Sequence, residues 1–186
     1  MIKKLHRRSI RLPNYDYTQP RAYFVTVCTK NRKHLFGKIV DGAVVLNYAG
    51  GIVGQVWGEL PKRFPNIELD AFVVMPNHFH GIIIITNRVG MNVGAIHELP
   101  LHETPLGRRT NRRRMLLPKI VGYFKMNIAK KINILHNTPG VPIWQRNYYE
   151  HVIRSDKINQ TRQYIMDNPA NWDQDENNPK CLLTVS

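Results

Sequence analysis

Cysteine and acid are both scarce in this chain. Cys28 and Cys181 are its two cysteines, far apart and in no ligand-type spacing. That excludes a disulfide framework and a cysteine-bound zinc cluster. Long apolar runs are missing as well. The longest aliphatic stretch, Ile82 to Ile85, falls far short of the ~20 residues that cross a bilayer as a helix. The opening residues, Met1-Ile2-Lys3-Lys4-Leu5-His6-Arg7-Arg8, are basic with no apolar segment behind them, unlike a secretion signal. A cytoplasmic protein is expected. Asp and Glu number 13 against 27 Lys and Arg, a formal net charge of +14. A small domain with that imbalance attracts a polyanion, nucleic acid before a membrane surface, because no basic amphipathic helix with a strong apolar face is visible. Hydrophobic residues make up 42% of the 186, which is enough for one globular core.

The pattern along the chain predicts an α+β domain. Residues 1–20 are basic, contain Pro13 and Pro20, and read as an extended arm. Ala22 to Thr29 is β-branched and aromatic, as strands are. Lys38 to Asn47 reads as a hairpin turning at Asp41-Gly42. Tyr48 to Leu60 has helical spacing and is expected to end at Pro61 and Pro65. Leu69 to Met75 and Gly81 to Thr86 read as strands joined tightly through Pro76-Asn77. Residues 87–112 carry no period and lead into Arg108, Arg109, Arg112, Arg113 and Arg114. A structureless loop of that length is usually functional or disordered. Met115 to Ile134 returns to helical spacing, Pro142 to Ile153 is extended, and Asp156 to Asp167 is a short helix ended by Asn168-Pro169. Without the inserted hairpin and the last helix, the order is the βαββαβ of a ferredoxin-like sandwich. The expected organisation is an arm over 1–20, one domain over 21–172 and a tail over 173–186.

The sharpest local feature is Met75-Pro76-Asn77-His78-Phe79-His80-Gly81. Residues two apart on a strand share a face, so His78 and His80 can offer two imidazoles to one metal ion while Phe79 points the other way. Gly81 would let a backbone or ligand come close. Hydrogen-bonded histidines at a strand end show the same pattern. A barrel hydrolase needs a longer chain, and a His-x-His-x-His site fails because Ile82 holds the third position. Two imidazoles leave an ion under-coordinated, and oxygen ligands would suit a divalent ion that also accepts phosphate. Asn168 is the candidate, four residues after Tyr164 and so on the same helix face. Tyr164 lies roughly 100° around that helix from Ile165, at the edge of the apolar stripe or off it. A boundary tyrosine would look the same, and Tyr148-Tyr149 is the rival nucleophile.

These pieces together resemble a family. The His78-Phe79-His80 strand, the basic helix after it, Trp144-Gln145-Arg146-Asn147-Tyr148-Tyr149-Glu150-His151-Val152-Ile153-Arg154, and Tyr164 through Asn168-Pro169 are similar to the single-tyrosine HUH transposases, in particular the REP-associated tyrosine transposases. The strand Arg21 to Thr29 resembles their first strand, and the likeness spans roughly residues 8–172. It implies a ferredoxin-like fold. It implies that His78, His80 and Asn168 bind Mg2+ or Mn2+, that Tyr164 is the nucleophile, and that the substrate is hairpin-forming single-stranded DNA cut through a 5′-phosphotyrosine link. Segment 87–112 matches no shared pattern.

The arginine cluster and Arg146 are candidates to neutralise phosphates, with Lys119, Lys125, Lys130 and Lys131, most of which are expected to be a solvated face. Trp144, Tyr148 and Tyr149 could stack on unpaired bases, the two tyrosines also reading as sheet packing. Two other readings stay open. One is a domesticated, non-catalytic single-strand binding protein; the other is a nuclease using an activated water. A monomer and a homodimer are equally compatible with the sequence.

Overall fold

The computed structural model describes residues 21–86 and 116–179. The N-terminal arm, the 87–112 segment and all five arginines from Arg108 to Arg114 lie outside the described residues. Four strands form an antiparallel sheet: β1 (Arg21–Cys28), β4 (Ile67–Val74), β5 (His78–Ile85) and β6 (Tyr149–Ile153), in the order β4-β5-β1-β6. With the hairpin left out, this is the ferredoxin-like arrangement expected from the sequence. The hairpin is a separate ribbon of β2 (Gly37–Val40) and β3 (Ala43–Leu46). Asp41 and Gly42 turn it with φ of 49° and 73°, the left-handed pair that a two-residue hairpin needs.

Three helices complete the described fold: α1 (Tyr48–Arg63), α2 (Leu116–Leu135) and α3 (Ile158–Asp167). Asn47 caps α1 by accepting from the Gly50 N–H at 3.0 Å. The helix runs through Pro61 to Arg63 rather than stopping there. A proline this near the C-terminus costs a single hydrogen bond and one turn of crowding, which burial of Leu60 and Trp57 offsets. The extended run from Pro142 shrinks to Tyr149–Ile153, because residues 142–148 touch the sheet at one isolated bridge, Thr29 to Trp144.

Strand alternation gives the sheet two unlike faces. Tyr23, Val25 and Val27 of β1 join Phe79, Ile83 and Ile85 of β5 against α1 and α2 in the main core. The alternate residues turn away. A small apolar cluster there joins Ile82 and Ile153 to Ile165 of α3, with Phe24 and Ile158 at its edge. Phe79 contacts Trp57 and Phe124 at centroid distances of 4.6 and 5.0 Å, so it points into the core as strand geometry requires. Gly81 is explained by the same core and not by a ligand. A Cβ there would stand 2.7 Å from the Trp57 ring.

Candidate active site and metal centre

The α3 face of the sheet carries the site. In the strand register Thr26 pairs with His80 on one side and with Tyr149 on the other, while Cys28 pairs with His78. Cross-strand partners share a face, so His80, Thr26 and Tyr149 form a row across three strands. Both histidines are buried, His78 at 0% and His80 at 2% exposure. Each is fixed by its Nδ1. His78 Nδ1 lies 2.8 Å from Asn77 Oδ1, and His80 Nδ1 lies 2.8 Å from Thr26 Oγ1. Asn77 can only accept there, since its Nδ2 donates to the carbonyls of Asn177 (2.8 Å) and Arg32 (3.2 Å). His78 therefore holds its proton on Nδ1 and leaves the Nε2 lone pair free.

The free nitrogens converge. His78 Nε2, His80 Nε2 and Asn168 Oδ1 are all buried without a hydrogen-bond partner among the described residues. Asp175 joins them. Its Oδ2 accepts from Asn168 Nδ2 at 2.8 Å and lies 3.7 Å from His78 Nε2. Ligand atoms of His78, His80 and Asp175 all fall within 4.8 Å of one another. Orphaned buried polar atoms are expensive, and here they have the chemistry of a divalent-ion cradle: two imidazoles, an amide oxygen and a carboxylate. His78, His80, Asn168 and Asp175 thus fit a metal. Burial drives the His78 pKa down to about 4, opposed by Asp175 and by the Asn168 side chain; burial, then the neighbouring His78, holds His80 well below its ordinary value. Both are neutral at physiological pH, the state that ligates.

Asp175 was not singled out in the sequence. It sits in residues 173–179, expected to be tail, yet Asp175, Asn177 and Asn178 are buried. The segment folds back after a 3-10 turn at Trp172–Gln174. Trp172 stacks on His78 at 6.0 Å, and Arg32 donates to Asn177 Oδ1 at 2.7 Å. An isolated aspartate in an Asp/Asn-rich stretch carries no sequence signal for this role.

Tyr164 lies beside the cluster. Its ring meets His80 edge-on at 5.5 Å and Phe24 at 5.9 Å, and it stays 47% exposed while its neighbour Ile165 is fully buried. Burial, Asp175 and Glu176 push its phenol pKa up. The helix is pinned to the sheet by a bidentate pair, Arg162 Nε and Nη2 to the Asp70 carboxylate at 3.0 and 2.6 Å. Asp70 stands where the β4–β5 register shifts between Leu69 and Phe72.

Tyr148 and Tyr149 face the same cavity as Tyr164. Trp144 does not stack on anything external. It is 7% exposed, part of the main core, and donates its indole N–H to the Lys125 carbonyl at 3.1 Å. Lys125 is likewise committed inside the protein, donating to the carbonyls of Gln145, Arg146 and Asn147. Lys131 pairs with Glu59 at 3.8 Å. Arg146 is exposed.

The fold is that of the single-tyrosine HUH transposases. It matches the structure of a REP-associated tyrosine transposase bound to a REP hairpin, with a TM-score of 0.50 at 19% identity, covering 88% of this chain and 74% of that one. A candidate transposase from Deinococcus radiodurans matches with a TM-score of 0.47 at 15% identity, over 86% of this chain and 97% of that one, and adds no weight at that score. In sequence, an uncharacterized protein of Haemophilus influenzae is 40% identical over 172 residues, 92% of each chain. This chain belongs to the same family as that protein. No family model matches the chain. No helix among the described residues is long and apolar enough to cross a membrane.

Proposed function

We propose that the chain is a metal-dependent transposase-type enzyme that nicks and rejoins single-stranded, hairpin-bearing DNA, with Tyr164 as nucleophile. The observation that carries this reading is the junction of Tyr164 with three buried, unpartnered ligand atoms on His78, His80 and Asn168. The hairpin substrate is carried over from the REP-associated neighbour.

A divalent ion, Mg2+ or Mn2+, would polarise a non-bridging oxygen of the scissile phosphate and offset its developing charge. His78 and His80 would hold that ion through Nε2, with Asn168 and Asp175 as oxygen ligands. Tyr164 Oη attacks phosphorus, the P–O3′ bond breaks, and the phenol proton is lost as the departing oxygen gains one. The products are a 3′-hydroxyl and a 5′-phosphotyrosine. Phenolate is a better leaving group than an alkoxide, so attack by a 3′-hydroxyl reverses the step without ATP. His80 and Phe24 pack the ring of Tyr164, and the Asp70–Arg162 pair anchors its helix.

Incubation with hairpin-bearing single strands and Mg2+ or Mn2+ should give a denaturation-resistant protein–DNA adduct mapping to Tyr164. Tyr164→Phe should abolish it, and Tyr148→Phe and Tyr149→Phe should not. An adduct that survives Tyr164→Phe sinks the nucleophile assignment. Salt-dependent binding with no adduct under any metal would instead favour a non-catalytic binding protein.

A further inference from the structure

A cavity of about 410 Å³ opens beside Tyr164, on the side of the sheet that carries His80. Its lining includes four aromatic residues, Phe24, Tyr148, Tyr149 and Tyr164, and two amides, Gln145 and Asn147, beside polar residues that include Glu176. The aromatic faces suit a planar ring, since every base has a π-face. The amides suit the edge of that ring, since each presents a donor and an acceptor side by side.

The amide edge is rigid in its backbone and open in its side chains. Lys125 Nζ donates to three successive carbonyls, those of Gln145 at 2.7 Å and of Arg146 and Asn147 at 3.2 Å. The Gln145 N–H donates to the Cys28 carbonyl at 2.9 Å. The segment is thus tied to α2 and to the sheet. No hydrogen bond holds the side-chain amide of Gln145 or Asn147 among the described residues. Arg32, which donates to the Glu176 carbonyl at 3.1 Å and to Asn177 Oδ1 at 2.7 Å, adds a guanidinium to the lining.

We propose that this cavity is a nucleobase pocket. It holds the base adjoining the scissile phosphate between aromatic rings, and Gln145 and Asn147 select it. The preferred base is one that offers a donor beside an acceptor, adenine first, because a carboxamide pairs with that edge twice. The position next to the phosphate rests on the reading of Tyr164 as nucleophile; the pocket itself does not.

The test has two arms. In the first, metal-free protein is titrated with four short single strands that differ in one central base, followed by tyrosine fluorescence. One base should bind about 10-fold tighter than the weakest, as a bidentate contact gives. Gln145→Ala or Asn147→Ala should remove that advantage, whereas Lys38→Ala, at a separate cavity, should keep it. Equal or undetectable binding of all four, or selectivity unchanged in both amide variants, overturns the pocket. In the second arm, a hairpin pool with randomised flanks is incubated with metal, and adducts are sequenced. Enrichment at the base next to the tyrosine link should relax in the same variants. Selective binding without any adduct would retain the pocket and sink the transposase reading. Adducts with no preference at that position would do the reverse.

Discussion

The two faces of the one sheet are built from the same strands and obey opposite rules. On the α1–α2 face, Tyr23, Val25, Val27, Phe79, Ile83 and Ile85 bury carbon against carbon. On the α3 face, the residues between them include Thr26, His78 and His80, equally buried but polar. Their hydrogen bonds run outward to Asn77, Thr26 and residues 175–177, and they stop at three atoms with no partner. The apolar face holds one such atom of its own, the buried indole nitrogen of Trp57. Each unpaired buried polar atom costs about 1–3 kcal/mol, and on the α3 face a bound ion would offset that cost. Strand alternation places the two regimes one residue apart.

That comparison is broken most sharply by neighbours on β5. Phe79→Ala should cost about 3–5 kcal/mol of folding stability in denaturant titrations, since it empties the space beside Trp57 and Phe124. Its Mn2+ affinity, measured on the folded protein by calorimetry, should change by no more than about 3-fold, because the ligands point the other way. His80→Ala should do the opposite. It removes an unpartnered buried nitrogen along with one bond to Thr26, so stability should fall less than in Phe79→Ala, while Mn2+ binding is lost. Similar stability losses in the two variants would mean that the faces do not differ in kind.

A smaller effect separates ligands from their supports. Asp175→Asn keeps the size but removes the charge facing His78 and one of the two acceptors that now take bonds from Asn168 and Asn177. Mn2+ should bind about 10–100-fold more weakly without DNA present. Unchanged affinity would reduce Asp175 to a support for Asn168.

Each face was legible in the sequence to a different depth. The apolar face was plain in the β-branched runs and in the helical spacing of Ile120, Phe124, Ile128 and Ile132, all buried as that spacing predicts. On the polar face, the pairing of His78 with His80 followed from strand period alone. One helical turn puts Asn168 on the same face as Tyr164, but the choice of Tyr164 over Tyr148 and Tyr149 rests on the family resemblance, and the residues between them and the sheet carry no sequence signal. Asp175 reaches the site through a reversal after Trp172 that no period announces. Trp144 and Lys125 look like nucleic-acid contacts in a basic chain, yet the fold turns both inward. Tertiary contacts across 20 residues decide that, and composition does not record them. The glycine after the histidines reads as room for a backbone or a ligand, when the Trp57 side chain on the far face requires it.

The smallest effect expected is a pH slope confined to one face. His78 titrates at about 4 in the folded protein and near 6.5 in an unfolded chain. His80 is lowered too. Above pH ~6.5 both states are neutral there, and these groups contribute no pH dependence. Between ~6.5 and ~4 the unfolded chain takes up protons that the folded protein refuses, so stability falls as pH falls, by at most about 1.4 kcal/mol per pH unit for each histidine. Metal should hold that slope off by occupying the lone pairs that protons seek. In metal-free thermal unfolding across this range, His80→Ala should make the slope shallower by one histidine's share and leave that of His78, whereas Phe79→Ala should lower the whole curve and leave its slope unchanged. A slope that His80→Ala leaves wholly unchanged would place the proton uptake in other groups.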